Sequence, residues 1–138
     1  MRKKILIVED NTELLELTRL NLKAAGFSVV TAANGTQGIA KARSTAPDLI
    51  LLDLGLPELD GFAVCEILRK DKATAAMPIL ILTGMASELT RLVGLESGAN
   101  DYLSKPVGSK ALIGKIKDML RPRPKSPRIS ADLARNLR

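Results

Sequence analysis

Five polar side chains in this 138-residue chain stand at or just behind the ends of short apolar runs. Glu9 and Asp10 follow Ile5-Leu6-Ile7-Val8, Asp53 follows Leu49-Ile50-Leu51-Leu52, and Thr83 follows Ile79-Leu80-Ile81-Leu82. Lys105, next to Pro106, comes two residues after the weaker run 100–103. Helix capping accounts for Asp10 or Thr83 singly, and a buried ion pair with Asp10 or Asp53 accounts for Lys105. Neither reading accounts for the set. Three carboxylates brought close together raise one another's pKa values unless a cation sits among them. With oxygen donors only and no His or Cys beside them, the hard cation Mg²⁺ is the natural occupant. Histidine is absent from the whole chain, which excludes imidazole bases, imidazole metal ligands and phosphohistidine. Any chemistry must use carboxylates, hydroxyls and amines.

The elements that would gather these residues follow from hydrophobic periodicity. The uniform apolar runs 5–8, 49–52 and 79–82 suit strands covered on both faces, hence central strands of a parallel sheet. Runs 27–31 and 100–103 are shorter or more polar and read as strands nearer the edges. Between them, residues 11–25, 35–44, 61–70, 87–97 and 109–121 carry apolar residues at helical spacing. Asn11 or Asp10 can cap the first helix, Gly26 and Gly98 stand where helices end, and Pro47 and Pro78 precede strands. The order is (βα)₅, an α/β fold with helices on both faces of a five-stranded parallel sheet, and such sheets bind ligands beyond the carboxyl ends of their strands. The polar residues lie at those ends.

With the strand ends placed, the chain resembles the receiver domain of bacterial two-component response regulators over about residues 3–120. The motifs are Ile5-Leu6-Ile7-Val8-Glu9-Asp10-Asn11, Asp53-Leu54-Gly55-Leu56-Pro57 with Asp60-Gly61, Ile81-Leu82-Thr83, and Asp101-Tyr102-Leu103-Ser104-Lys105-Pro106. Each motif is weak alone, and four in order at successive strand ends are specific. The resemblance implies a doubly wound, flavodoxin-like sheet of order 2-1-3-4-5. It also implies phosphorylation of Asp53 from the phosphohistidine of a histidine kinase or histidine phosphotransfer protein. Glu9, Asp10, Asp53 and the Gly55 carbonyl would hold Mg²⁺, while Thr83 and Lys105 would stabilise the phosphoryl group. Thr83 and Tyr102, the only tyrosine, would switch the face made by the fourth helix, fifth strand and fifth helix, which would bind a downstream protein. A partly buried edge-strand residue is the plainer reading of Tyr102.

Gly55 and Met85 border the path of the hydrolytic water in the resembling family, and neither offers a general base. Slow self-catalysed dephosphorylation is expected, in a signalling domain that is not a conventional enzyme. Arg91, Asp101 and Lys115 resemble part of a dimerisation face in receivers joined to winged-helix domains, but Ala111 stands where an acidic partner is usual.

A hydrophobic content of 46% is ample for one core, and the single Cys65 is expected as a buried thiol rather than half of a disulfide. Residues 121–138 carry six basic side chains against Asp132 alone, whereas residues 1–120 hold fifteen basic and fourteen acidic ones. The tail therefore carries +5 of the formal charge of +6. Residues 1–121 read as the receiver domain and 122–138 as a basic, Pro-rich tail or linker. Nucleic-acid binding is not expected except through that tail. Apolar runs are too short for a signal peptide or a membrane span, so a cytoplasmic protein is expected. Two functions compete: a stand-alone phosphorelay receiver, which the chain length favours, and the receiver portion of a DNA-binding transcription regulator lacking its output domain.

Overall fold

A computed structural model describes residues 2–84 and 88–122. The chain alternates strand and helix: β1 (Lys4–Val8), α1 (Thr12–Ala24), β2 (Ser28–Ala32), α2 (Gly35–Thr45), β3 (Leu49–Leu52), α3 (Gly61–Lys70), β4 (Ile79–Thr83), α4 (Glu88–Glu96), β5 (Asp101–Ser104) and α5 (Ser109–Leu120). All strands are parallel in the order β2-β1-β3-β4-β5, as the sequence reading expects. β3 and β4 are wholly buried, which is why they read as unbroken apolar runs rather than alternating ones.

Side-chain alternation along the strands divides the interior in two. Leu6, Val8, Ile50, Leu52, Ile79 and Ile81 pack with Val64, Cys65 and Leu68 of α3 and Ala42 of α2. Ile5, Ile7, Leu49, Leu51, Leu80 and Leu82 pack with Leu22 of α1 and with Leu112 and Ile116 of α5. Burying each large side chain contributes about 1.5–3 kcal/mol, so the two layers hold the strand ends in a fixed register.

Caps set where the helices begin. Asn11, Asn34 and Asp60 accept the backbone N–H of Leu14, Gln37 and Ala63 at 2.8–3.0 Å. Gly26 and Gly98, both at positive φ, end α1 and α4 as expected. β2 and β5 each start one residue later than periodicity suggests, and β4 takes in Thr83. Edge strands and strand ends carry mixed burial, which leaves periodicity little to mark.

Candidate functional site

The carboxyl ends of β1 and β3 lie side by side because Val8 and Leu52 are register partners. Each carries its acid one step beyond. The Glu9 N–H donates to the Ala32 carbonyl at 3.0 Å and the Asp53 N–H to the Val8 carbonyl at 3.1 Å, so backbone bonding continues past the strands and fixes both residues. Glu9 and Asp53 are only 5% and 8% exposed, whereas Asp10 faces solvent. One carboxylate oxygen from each of Glu9, Asp10 and Asp53 lies within 4.8 Å of the others.

Lys105 arrives from the far end of the chain, positioned by its own N–H donating to the Thr83 carbonyl at 2.8 Å. Its Nζ donates to Glu9 Oε1 at 2.7 Å and lies 3.4 Å from Asp53 Oδ1. Burial pushes the Glu9 carboxyl above its ordinary pKa, and hydrogen bonds from Lys105 and from the Asn11 N–H do not cancel that push. Burial also opposes the Lys105 charge, but the Glu9 hydrogen bond with the Asp53 and Glu9 charges outweighs it and holds the ammonium above its ordinary value. Three carboxylates and one ammonium leave two negative charges uncompensated when ionised, which a divalent cation with oxygen ligands would balance.

The loop after β3 shapes the rest of the rim. Leu54 and Leu56 are buried and anchor it in the core beside α3, leaving Gly55 exposed between them. A Cβ at Gly55 would lie 3.6 Å from Asp53 Oδ2, so residue 55 borders the acid directly. Glu58 takes a left-handed φ of 65°, a conformation unusual for a non-glycine residue and typical of tight loops at sites. Gly61 closes the loop: its N–H donates to the Leu54 carbonyl, and a Cβ there would come within 2.6 Å of the Asp53 carbonyl oxygen.

Thr83 ends β4 and is 1% exposed. Tyr102, the register partner of Ile81, is half-buried against the α3 side of the core. The structure thus gathers Glu9, Asp10, Asp53 and Lys105, with Gly55 on the rim; Thr83 and Tyr102 sit on the neighbouring strands. Met85 and the tail from 123 onward lie outside the described residues. On the α4 side, Leu89 and Leu92 are 71% and 46% exposed, while Lys115 of α5 forms an ion pair with Asp101 of β5.

One organising residue was not singled out from the sequence. Arg69 at the end of α3 donates to the carbonyls of Gly98, Ala75 and Met77 and to Asn100 Oδ1, all at 2.7–3.0 Å. Asn100 Oδ1 also accepts the Ile79 N–H at 2.8 Å. The guanidinium therefore ties the ends of α3 and α4 to the start of β4. Burial holds its pKa below the ordinary value. An arginine with helical spacing reads as a solvated face, and nothing in the sequence marks carbonyls as its partners.

Comparison with known proteins agrees with this geometry. The family model described as the response regulator receiver domain matches residues 5–117. The DNA-binding dual master transcriptional regulator RpaA of Synechocystis sp. is 42% identical over 118 residues, covering 86% of this chain and 49% of that protein. The alkaline phosphatase synthesis transcriptional regulatory protein PhoP of Bacillus subtilis is 42% identical over 121 residues, covering 88% and 50%. The chain spans about half the length of these curated relatives. The crystal structure of a CheY-like response regulator receiver domain protein from Methanospirillum hungatei matches with a TM-score of 0.81 at 35% identity, over 87% of this chain and 94% of that one. Sheet order, strand-end acids and these matches agree, and the chain belongs to the response regulator receiver domain family.

Proposed function

We propose that this chain is a phosphoacceptor, phosphorylated on Asp53 by a histidine kinase or histidine phosphotransfer protein in the presence of Mg²⁺. The observation that carries the reading is the convergence of Glu9, Asp10 and Asp53 on one end of the sheet with Lys105 between two of them. The donor set suits Mg²⁺: oxygens only, two acids fixed by backbone bonds and an exposed Asp10, and the carbonyl of Gly55, which borders Asp53, would add a further oxygen. When bound, the ion would supply positive charge that offsets the negative charge on the oxygens of the transferring phosphoryl group.

The chain's own residues supply the remainder. An Asp53 carboxylate oxygen attacks phosphorus as the bond from phosphorus to the donor's imidazole nitrogen breaks; the bonding pair returns to that nitrogen, and an imidazole protonated on its other nitrogen leaves as neutral histidine, giving an aspartyl phosphate. Lys105 Nζ, already 3.4 Å from Asp53 Oδ1, pairs with a phosphoryl oxygen, and the Thr83 hydroxyl donates to another. Movement of Thr83 toward the phosphoryl group, with Tyr102 following, would repack the α4, β5 and α5 face for a downstream protein. Receiver domains are signalling modules rather than conventional enzymes, and here the self-catalysed steps are phosphorylation and slow dephosphorylation.

In this reading, residues 1–121 are the receiver and 122–138 a basic tail or linker, and the protein works in the cytoplasm. No helix among the described residues is long and apolar enough to cross a membrane. A second reading of the output has its own support. RpaA and the MtrA proteins, which this chain matches over about half their length, are named as DNA-binding regulators. The receiver portion of such a regulator fits that pattern as well as a stand-alone relay does.

Incubation with acetyl phosphate tests the chemistry. Modification should require Mg²⁺ and cease in excess chelator; an equal yield with chelator would contradict the reading.

A further inference from the structure

The pole of the sheet opposite Asp53 carries charge that phosphoryl chemistry leaves unused. An open groove of about 630 Å³ lies there between the start of β1, the turn after α1 and the end of α5. Arg2, Lys3, Lys117 and Arg121 line it, all four exposed, and no carboxylate is among its lining residues. Its apolar floor includes Phe27 and Leu120, which belong to the core packed under α1 and α5, so the cations stand on rigid elements. The Lys3 carbonyl accepts the Ser28 N–H at 2.9 Å, while Lys117 and Arg121 are one helical turn apart.

Nearby acids do little to neutralise this concavity. Asp118 pairs with Arg121 at 3.3 Å with both side chains mostly in solvent, a pair that constrains the guanidinium weakly. Asp48 accepts the Lys4 backbone N–H at 2.7 Å and is not in the groove lining. The sequence beyond Arg121 adds Arg123, Lys125 and Arg128 before its one acid, Asp132. That segment has the same sign as the groove and offers it no charge complement.

We propose that this groove is a contact surface for the phosphate backbone of nucleic acid. Four cations on one open surface, with no carboxylate in its lining, suit a polymer of dense and regular negative charge. With 2% aromatic residues in the chain, stacking platforms for single strands are scarce, so duplex is the expected partner. Contacts of this kind position a protein on the duplex without reading its sequence. The interaction is separate from the Asp53 site.

The test is fluorescence anisotropy of a short labelled DNA duplex of arbitrary sequence with the full chain, titrated across about 50–200 mM salt. Affinity should fall steeply with salt. The triple variant Lys3→Gln, Lys117→Gln, Arg121→Gln should reduce the slope of log affinity against log salt by about two to three, at ~0.9 per phosphate contact. Lys117→Gln alone should reduce it by about one and guards against misfolding of the triple. Lys70→Gln, Lys72→Gln, Lys110→Gln removes equal charge elsewhere and should change affinity little, as should Asp53→Asn. Equal losses in both triples, no loss in the groove variants, or tighter binding of poly-glutamate than of duplex would each overturn the proposal, the last in favour of an acidic polypeptide partner.

Discussion

The Lys105 ammonium donates to Glu9 Oε1 at 2.7 Å across 96 positions of sequence while lying 3.4 Å from Asp53 Oδ1. One cation therefore spans the ends of two strands that meet only because Val8 and Leu52 pair in register. Its position, rather than its charge alone, is what the fold supplies.

Replacing it separates phosphoryl stabilisation from metal binding. Lys105→Met leaves Glu9, Asp10 and Asp53 in place with more negative charge, so calorimetric Mg²⁺ titration should show binding at least as tight as before. Phosphorylation by acetyl phosphate should slow by about two orders of magnitude, the loss typical of removing one group that stabilises developing charge. Parallel losses of both would assign Lys105 a structural role.

Gly61 and Gly55 should respond oppositely to alanine. A Cβ at Gly61 would meet the Asp53 carbonyl oxygen at 2.6 Å and the Leu54 Cα at 2.8 Å, both backbone atoms that cannot step aside, whereas the nearest atom at Gly55 is 3.6 Å away. Gly61→Ala should cost about 1–3 kcal/mol in urea unfolding, and Gly55→Ala should leave the midpoint nearly unchanged.

What was legible in the sequence depended on how each residue is used. Ile5 to Val8, Leu49 to Leu52 and Ile79 to Leu82 are buried on both faces and announce themselves as runs, so the central strands and the acids behind them could be read, whereas the sheet order followed from the family resemblance. The start of α1 at Asn11 was legible because capping uses a small set of side chains. Ala46, which ends α2 at a φ of 47°, gives no such sign, since glycine is the usual marker there. Arg69 was illegible for a related reason: its partners are main-chain carbonyls contributed by residues 75, 77 and 98, and side-chain identity does not record them. The concentration of charge at Arg2, Lys3 and Lys117 was hidden because totals for residues 1–120 nearly cancel, and Arg121 was counted with the tail.

Cys65 should be chemically silent in the folded protein. Burial pushes its thiol up to about 12, so at pH 8 only about one molecule in 10⁴ carries the thiolate. A thiol-specific colorimetric reagent should react with the native chain far more slowly than with the urea-unfolded chain. The unfolded thiol ionises near pH ~8.5, below the folded value. Its contribution to stability is thus fully present below that pH and is lost as pH rises toward about 12. Cys65→Ala should flatten that part of the stability profile.

The lifetime of the phosphorylated state should depend on residue 55. A side chain there would start 3.6 Å from Asp53 Oδ2, close enough to hold a water against the phosphoryl group, and glycine offers nothing for this. After donor removal, phosphate release in the presence of Mg²⁺ should be slow for the native chain and severalfold faster for Gly55→Asn. Decay of the native protein within seconds, or an unchanged rate in the variant, would show that water access is set elsewhere.

The central claim is that Asp53 is the phosphoacceptor, and mapping the adduct tests it most directly. The chain is phosphorylated with acetyl phosphate and Mg²⁺, trapped with borohydride, digested and analysed by mass spectrometry. The account predicts a single reduced site at Asp53 that disappears in Asp53→Asn and in excess chelator. Label at another carboxylate, or an undiminished yield in Asp53→Asn, would contradict it.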